Sequence, residues 1–438
     1  MMGYAWWQIA QMIFHAFLLL LLNPVLYLAT ILLVWDLLRN VRAERRFFGI
    51  RVTRVWIPLL MRYVKAVCVG TLLTLVCLAC GIEVRQSEIY LVSGLSILLG
   101  VFRIRFGNTP SAIFLLIFMA WIAVHVSVPA SSFLAKPVRF FSEVHIVSWL
   151  ALLCVSYAAQ FLMVWWHRKE GVAPALVESR RGRGIGALVV QLAFVIPVGV
   201  LTPGNHPFQE LFFHWSWLAV HGGINLGAIP FVMGFSAVTL GTEPRRILKR
   251  LLIDSAVSTV VLAGSAYMAV HFGSVFSLAG VIFALLLQEG TILQFRFRES
   301  YRDAICAPQS EGVVVLYTIK GSLAEEMGLR PGEIITHVNQ VPVHSEYDLH
   351  FAFDQNPAYA KLQVIDRRGE LRIIGKPVYD GERHQLGLIL APQGTDVPCY
   401  CNRPVGLLQT LYLKFSTSAG GCTPYKNIQE TIPGQIGE

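Results

Sequence analysis

Few residues in this chain have the types and spacing that chemistry at a protein site requires. His214 and His221 stand seven apart, with Glu210 and Asn225 nearby. On a helix, positions i and i+7 share a face, and imidazoles beside a carboxylate form a zinc-like ligand set. A zinc protease acting inside a membrane needs a His-Glu-x-x-His helix, in which two histidines hold the metal and the glutamate serves as base. No His-Glu pair occurs in the sequence, so packing histidines in a broken helix are the simpler expectation. Cys77-Leu-Ala-Cys80 matches a two-cysteine spacing in letters, yet it lies in an apolar run where thiols pack. Cys399-Tyr-Cys401 with Cys422 offers three sulfurs, but a fourth ligand such as His384 falls outside any standard zinc spacing. Asp254 and Glu289 stand at the ends of apolar runs, where a solvated carboxylate is the plain reading and a functional one the alternative. The expectation is therefore no catalytic residue, no metal and no cofactor.

The elements that would carry such residues are set by composition. The chain has 438 residues, 55% hydrophobic and only 14% charged, against roughly 25% charged in ordinary soluble proteins. With a mean hydropathy of +0.56, this excludes a soluble enzyme, a disordered chain and a disulfide scaffold, and it fits a polytopic membrane protein. Residues 1–302 hold 25 Lys and Arg against 12 Asp and Glu, while residues 303–438 hold 11 against 15. The basic excess thus belongs to the apolar part, which argues for membrane topology rather than nucleic acid.

A spanning helix needs roughly 20 apolar residues. Candidate spans are 13–35, 63–82, 89–102, 111–128, 145–166, 184–201, 212–240, 251–272 and 274–294. The third is short, and the seventh, with Gly222, Gly223, Gly227, Pro230 and Gly234, reads as broken. Loops after odd-numbered spans carry 20 Lys and Arg and loops after even-numbered spans carry three. That asymmetry predicts about nine spans with the N-terminus outside and the C-terminus in the cytoplasm. The first such loop holds Arg39, Arg42, Arg45, Arg46 and Arg51 with Phe47 and Phe48 interleaved. This reads as a membrane-surface stretch for anionic lipids, beside ordinary positive-inside anchoring.

After Arg302 the pattern changes. Val313–Ile319 reads as a buried strand and Ser322-Leu-Ala-Glu325 as a capping box opening a short helix that ends at Gly328. Pro331-Gly332 turns into a strand over Glu333–Val338, Asn339-Gln340 turns into Val341–Val343, and Ser345 caps a helix over Glu346–Asp354. Lys361–Asp366 and Leu371–Gly375 form a hairpin, and Leu386–Leu390 is a further strand. The expected division is a transmembrane domain over 1–302, a small α/β domain over 303–392 and a weakly ordered tail over 393–438. Leu407–Phe415 (LLQTLYLKF) is the tail's one sustained apolar stretch.

The run from Gly312, GVVVLYTIKGSLAEEMGLRPGEIITHVNQVPVHSEYDLHFAF, resembles a bacterial PDZ domain. That resemblance implies capture of an extended peptide or C-terminus by strand addition beside a helix. The helix Glu346–Asp354 would form one wall, with Tyr347, Leu349, His350 and Phe353. The carboxylate loop is best matched by Leu386-Gly387-Leu388 leading into Ile389-Leu390, which would make the domain circularly permuted. The alternative is that Leu386–Leu390 only closes the sheet.

Asn23-Pro24-Val-Leu-Tyr27 in the first span, followed by Arg39-x-x-Arg42-x-Glu44-Arg45-Arg46, looks like the N-terminus of MinJ-type proteins of rod-shaped Gram-positive bacteria. His384-Gln-Leu-Gly-Leu-Ile-Leu-Ala-Pro392 suits the end of that family's PDZ region. The resemblance implies a non-enzymatic scaffold at septa and poles. There it would bridge a polar DivIVA-type protein to the MinCD division inhibitor, with MinD-type partners, membrane lipids and no nucleic acid. An intramembrane protease or its regulator, and a transporter or sensor with a peptide-binding domain, are the rival classes.

Overall fold

The computed structural model describes residues 2–49, 52, 56–102, 107–126, 129, 133–168, 171–178, 184–206, 224–273, 275–356, 358–378 and 386–393. The chain begins with α1 (Met2–Leu22) and α2 (Pro24–Phe48). The run expected as one span over 13–35 is divided at Asn23. Its side chain accepts from the Val25 amide at 3.0 Å, and Pro24 occupies the first helical position, where its missing N–H leaves no bond unmade. There follow α3 (Trp56–Cys80), α4 (Gln86–Phe102), α5 (Thr109–His125), the short α6 (Ala135–Ser142) and α7 (Ile146–His167). After a three-stranded sheet, β1 (Val172–Glu178), β2 (Gly184–His206) and β3 (Ile224–Thr239), come α8 (Pro244–Phe272) and α9 (Val275–Ser300). Among the described residues, five helices are long and apolar enough to cross a membrane: α2, α3, α7, α8 and α9.

The expected helical spans 184–201 and 212–240 are corrected by this sheet. Residues 184–206 and 224–239 are the two arms of an antiparallel ladder, and 212–223 lie outside the described residues. The reason is local and tertiary at once. Both runs are rich in Val, Ile and Phe and carry a proline mid-run, Pro197 and Pro230, and each proline would break a helix. Both faces of the ribbon are covered. Val190, Leu192, Phe194, Ile196, Val198 and Val200 of β2, with Ile229, Phe231 and Met233 of β3, join the core formed by α3, α5 and α7. The other face runs under α2, where Asn40 donates to Gln191. Two-sided burial makes a strand's sequence continuously apolar, and its length then mimics a spanning helix.

The ribbon's two edges are finished by side chains. Beyond β1, the Gly199 amide donates to Thr74 Oγ1 at 2.7 Å, and Thr74 donates to the Gly70 carbonyl at 2.7 Å. On the β3 side, Val232 N donates to Thr109 Oγ1 at 2.8 Å, Thr109 donates to the Pro230 carbonyl at 3.3 Å, and Asn108 Nδ2 donates to the Gly234 carbonyl at 3.3 Å. A buried backbone group left unpaired costs about as much as a lost hydrogen bond. These threonines and the asparagine remove that cost where no strand can.

The C-terminal part holds β4 (Val313–Thr318), α10 (Leu323–Glu326), β5 (Ile334–Val338), β6 (Val341–Pro342), α11 (Glu346–Gln355), β7 (Tyr359–Ile365), β8 (Leu371–Pro377) and β9 (Leu388–Leu390). The sheet order is β8-β7-β5-β4-β9, with β6 on β5. Asn339 and Gln340 take positive φ, 49° and 74°, in the β5–β6 turn. One face of the sheet packs with α10 and α11 around Val313, Val315, Ile335, Leu349 and Phe353.

The other face is docked on the membrane domain. Val314, Leu316, Ile334, Ile389 and Ala391 share a buried cluster with Leu176 of β1, Leu188 of β2 and Cys306, and Phe47, Phe48 and Val52 pack against it. The Gly186 amide donates to the Cys306 carbonyl at 3.1 Å, and the Ile305 amide to the Leu240 carbonyl at 2.8 Å. At the end of α9, the buried Glu299 carboxylate accepts from Gly241 N at 2.6 Å, Thr242 N at 3.1 Å and Thr242 Oγ1 at 2.6 Å, as well as from Leu240 N. Arg367 of the β7–β8 turn pairs with Glu243 at the start of α8.

Candidate functional site: an edge strand beside a capped helix

The site is built by β9 and α11. Ser345 opens α11 with a two-way capping box. Its hydroxyl accepts from the Asp348 amide at 3.1 Å, and the Asp348 carboxylate accepts from Ser345 N at 2.9 Å and His344 N at 3.1 Å. The Ser345 bond and the amides around it hold the Asp348 carboxyl below the usual aspartate range. From there the helix sends Leu349, Ala352 and Phe353 into the core and leaves Tyr347, His350 and Phe351 outside. The Tyr347 and Phe351 rings stack on that outer face with centroids 6.4 Å apart.

Gly387 makes the turn into β9 with φ of +68°, a conformation that favours glycine. A Cβ at this position would lie 2.1 Å from Ser322 Cβ. The turn is bolted to α10: the Gly387 carbonyl accepts from Ile319 N at 2.8 Å and the Leu386 carbonyl from Ala324 N at 3.1 Å. Leu386 is buried in the same cluster as Leu349 and Phe353, and Leu388 and Leu390 pack against it. Ile389 points the other way, into the cluster shared with the membrane domain. Among the described residues β9 pairs with β4 alone and ends the sheet. After it, Gln393 Nε2 donates to the His344 carbonyl just ahead of α11. This places α11 antiparallel to β9, with the glycine turn at the helix's C-terminal end.

Leu386, Leu388 and Leu390 are thus brought together with Leu349 and Phe353, while Ile389 points away from them and Tyr347 and His350 lie on the exposed side of the helix. In the basic stretch, Arg42, Arg45 and Arg46 are exposed and Arg39 is half-buried, and Arg51 lies outside the described residues. Phe47 and Phe48, interleaved with these arginines, pack toward the C-terminal domain. Asp254 is 7% exposed and faces the exposed Arg250 at 3.4 Å, so the carboxylate itself is buried rather than solvated, and Glu289 is half-buried. Cys77 sits in the core while Cys80 is exposed, and both are free thiols. His214, His221, His384, Cys399, Cys401 and Cys422 lie outside the described residues. No group of three or more metal-ligating side chains occurs among the described residues. Sequence reading missed the Glu299 clamp and the Glu243–Arg367 pair. The one available signal was a lone glutamate between Arg298 and Arg302 at the end of an apolar run.

Residues 314–362 match the model of the PDZ domain, and that match ends inside β7, before β8 and β9. Over most of its length the chain is similar to the cell division topological determinant MinJ of Bacillus subtilis (strain 168). The two are 28% identical over 360 residues, covering 80% of this chain and 87% of the relative. It is also similar to the probable cell division topological determinants MinJ of Lacticaseibacillus paracasei and Lacticaseibacillus casei (strain BD-II). Each is 24% identical over 388 residues, covering 86% of this chain and 98% of the relative. No solved structure matches the chain.

Proposed function

We propose that this MinJ-like chain is a non-enzymatic membrane scaffold in division-site selection, in which the groove between β9 and α11 captures an extended peptide from a division protein. The observation that carries the reading is the glycine turn Leu386-Gly387-Leu388. It opens a strand that, among the described residues, is paired on one side only and lies next to a capped helix, the arrangement that strand addition requires. The resemblance supplies the expected partners: a polar DivIVA-type protein on one side and the MinCD inhibitor, through its MinD-type component, on the other.

The membrane domain crosses the bilayer nine times in this reading, with β2 and β3 as two of the crossings and the C-terminal domain in the cytoplasm. The end of α2, the start of β2, the β3–α8 turn and the end of α9 all meet the C-terminal domain. These are loops rich in Lys and Arg. At the opposite end of the ribbon, Leu201 exchanges hydrogen bonds with Ile82 and Val84. Cysteine placed at Ser87 should label from outside the cell and cysteine at Ser179 only from within, and the reverse pattern would overturn the orientation. The exposed Arg42, Arg45 and Arg46 lie at that inner surface and serve anionic lipid headgroups.

The function itself is tested in a rod-shaped bacterium. A fluorescent fusion of the full chain should concentrate at septa and poles, and its deletion should misplace septa. Crosslinking should recover DivIVA-type and MinD-type proteins from the native chain and far less from Gly387→Ala or Leu388→Glu. An even membrane signal with normal septa would sink the proposal.

A further inference from the structure

The outer edge of β9 meets no other strand among the described residues, and the strand is only three residues long. The chain does not leave it at random. Gln393 ties the exit to the His344 carbonyl at the start of α11, so the chain departs beside that helix, at the end of β9 away from Gly387. Residues 394–438 follow, and they contain one stretch with strand periodicity, Thr410-Leu-Tyr-Leu-Lys-Phe415. Leu411, Leu413 and Phe415 alternate with Thr410, Tyr412 and Lys414, which gives one apolar and one polar face. The connection 394–410 reaches up to roughly 55 Å when extended, while β9 is about 10 Å long. A chain that exits the end of a strand and turns back adds naturally as an antiparallel neighbour.

We propose that residues 410–415 of this chain occupy its own groove, adding to β9 as an antiparallel strand beside α11. The proposal rests on the groove reading above and gives it a regulatory form. A tethered segment acts at an effective concentration in the millimolar range, so a partner peptide must displace the tail before it binds. Capture then depends on tail release as well as on partner affinity.

The test uses amide hydrogen exchange on the full chain in lipid nanodiscs, read at residues 388–390. Three chains are compared: the native one, one ended after Gln393, and Leu411→Asp with Leu413→Asp. Exchange in the two altered chains should be about tenfold faster or more. A synthetic peptide of residues 407–415 should restore protection to the shortened chain but not add any to the native one. Equal exchange in all three chains would overturn the proposal. If exchange is equal but the peptide still protects the shortened chain, self-occupancy fails while the groove stands. If the peptide gives no protection and partner capture is indifferent to Gly387→Ala, the groove reading fails with it.

Discussion

Pro197 stands directly opposite Pro230 in the β2–β3 ladder. Antiparallel partners alternate between pairs that exchange hydrogen bonds and pairs that do not, and two prolines fit only the second kind. The Pro230 carbonyl turns outward to Thr109, so its ring nitrogen also faces away from β2. The same residues in a helix would each forfeit an i to i−4 bond and clash with the preceding turn, at about 3 kcal/mol apiece. The facing prolines therefore do two things: they favour the ribbon over a helical pair and they pin its register. A one-residue slip would put them in bonding positions and turn the apolar face away from α3 and α7.

Thr109 is the polar hinge between α5 and the edge of β3. Thr109→Val keeps the shape and leaves Val232 N and the Pro230 carbonyl unpaired, which should cost about 1–3 kcal/mol. Thermal unfolding in detergent should show a lowered Tm for Thr109→Val and near-native stability for Thr109→Ser.

Gly70 lets α3 approach β2. A Cβ there would sit 2.1 Å from the Pro197 carbonyl oxygen, whereas one at Gly94 in α4 would meet nothing within 4 Å. Gly70→Ala should strongly reduce the yield of folded protein. Gly94→Ala should be neutral or stabilising by about 0.5–1 kcal/mol, the ordinary helix preference. Equal behaviour of the two variants would contradict the close approach.

The C-terminal domain is held on the membrane domain by apolar burial more than by charge. The Arg367–Glu243 pair is partly exposed, so Arg367→Ala should change stability by less than about 1 kcal/mol. Leu188 is 6% exposed within the shared cluster. Leu188→Asp should release the domain, seen as rapid proteolysis within 301–312, while Arg367→Ala leaves cleavage slow.

Acid should loosen the helix that lines the groove. The folded pKa of Asp348 lies below its unfolded value of about 3.9. Its contribution to capping α11 is complete above that value and fades as pH falls through the folded pKa. Exchange of the α11 amides should accelerate below about pH 4 in the native chain. Asp348→Asn, which lacks this titration, should show no such step.

The C-terminal domain was legible residue by residue because its signals are local. Ser322 and Ser345 cap, Gly328, Gly332 and Gly369 turn with positive φ, and Asn339-Gln340 reverses the chain. Each needs only its neighbours in sequence. The span at 13–35 was misread across Asn23-Pro24 even though the cap pattern was present, because hydropathy averages over a helix start. The ribbon was illegible for a different reason: a strand buried on both faces loses the alternation that marks strands, and only Pro197 and Pro230 argued against helices. The docking cluster was invisible because Phe47, Leu188 and Ile389 come from three distant segments whose meeting no periodicity records.

The capped edges of the β2–β3 ribbon carry a consequence for biosynthesis. An isolated β2–β3 hairpin would carry bare amides and carbonyls along its edges, and burying them unpaired is costly. Thr74 and Thr109 lie upstream of β2 in the chain. Synthesis proceeds from the N-terminus, so the helices that supply the caps are made before the strands that need them. The order of the genetic message is thus also an order of assembly: moving β2 and β3 ahead of α3 should leave the same strands without the side chains that finish their edges.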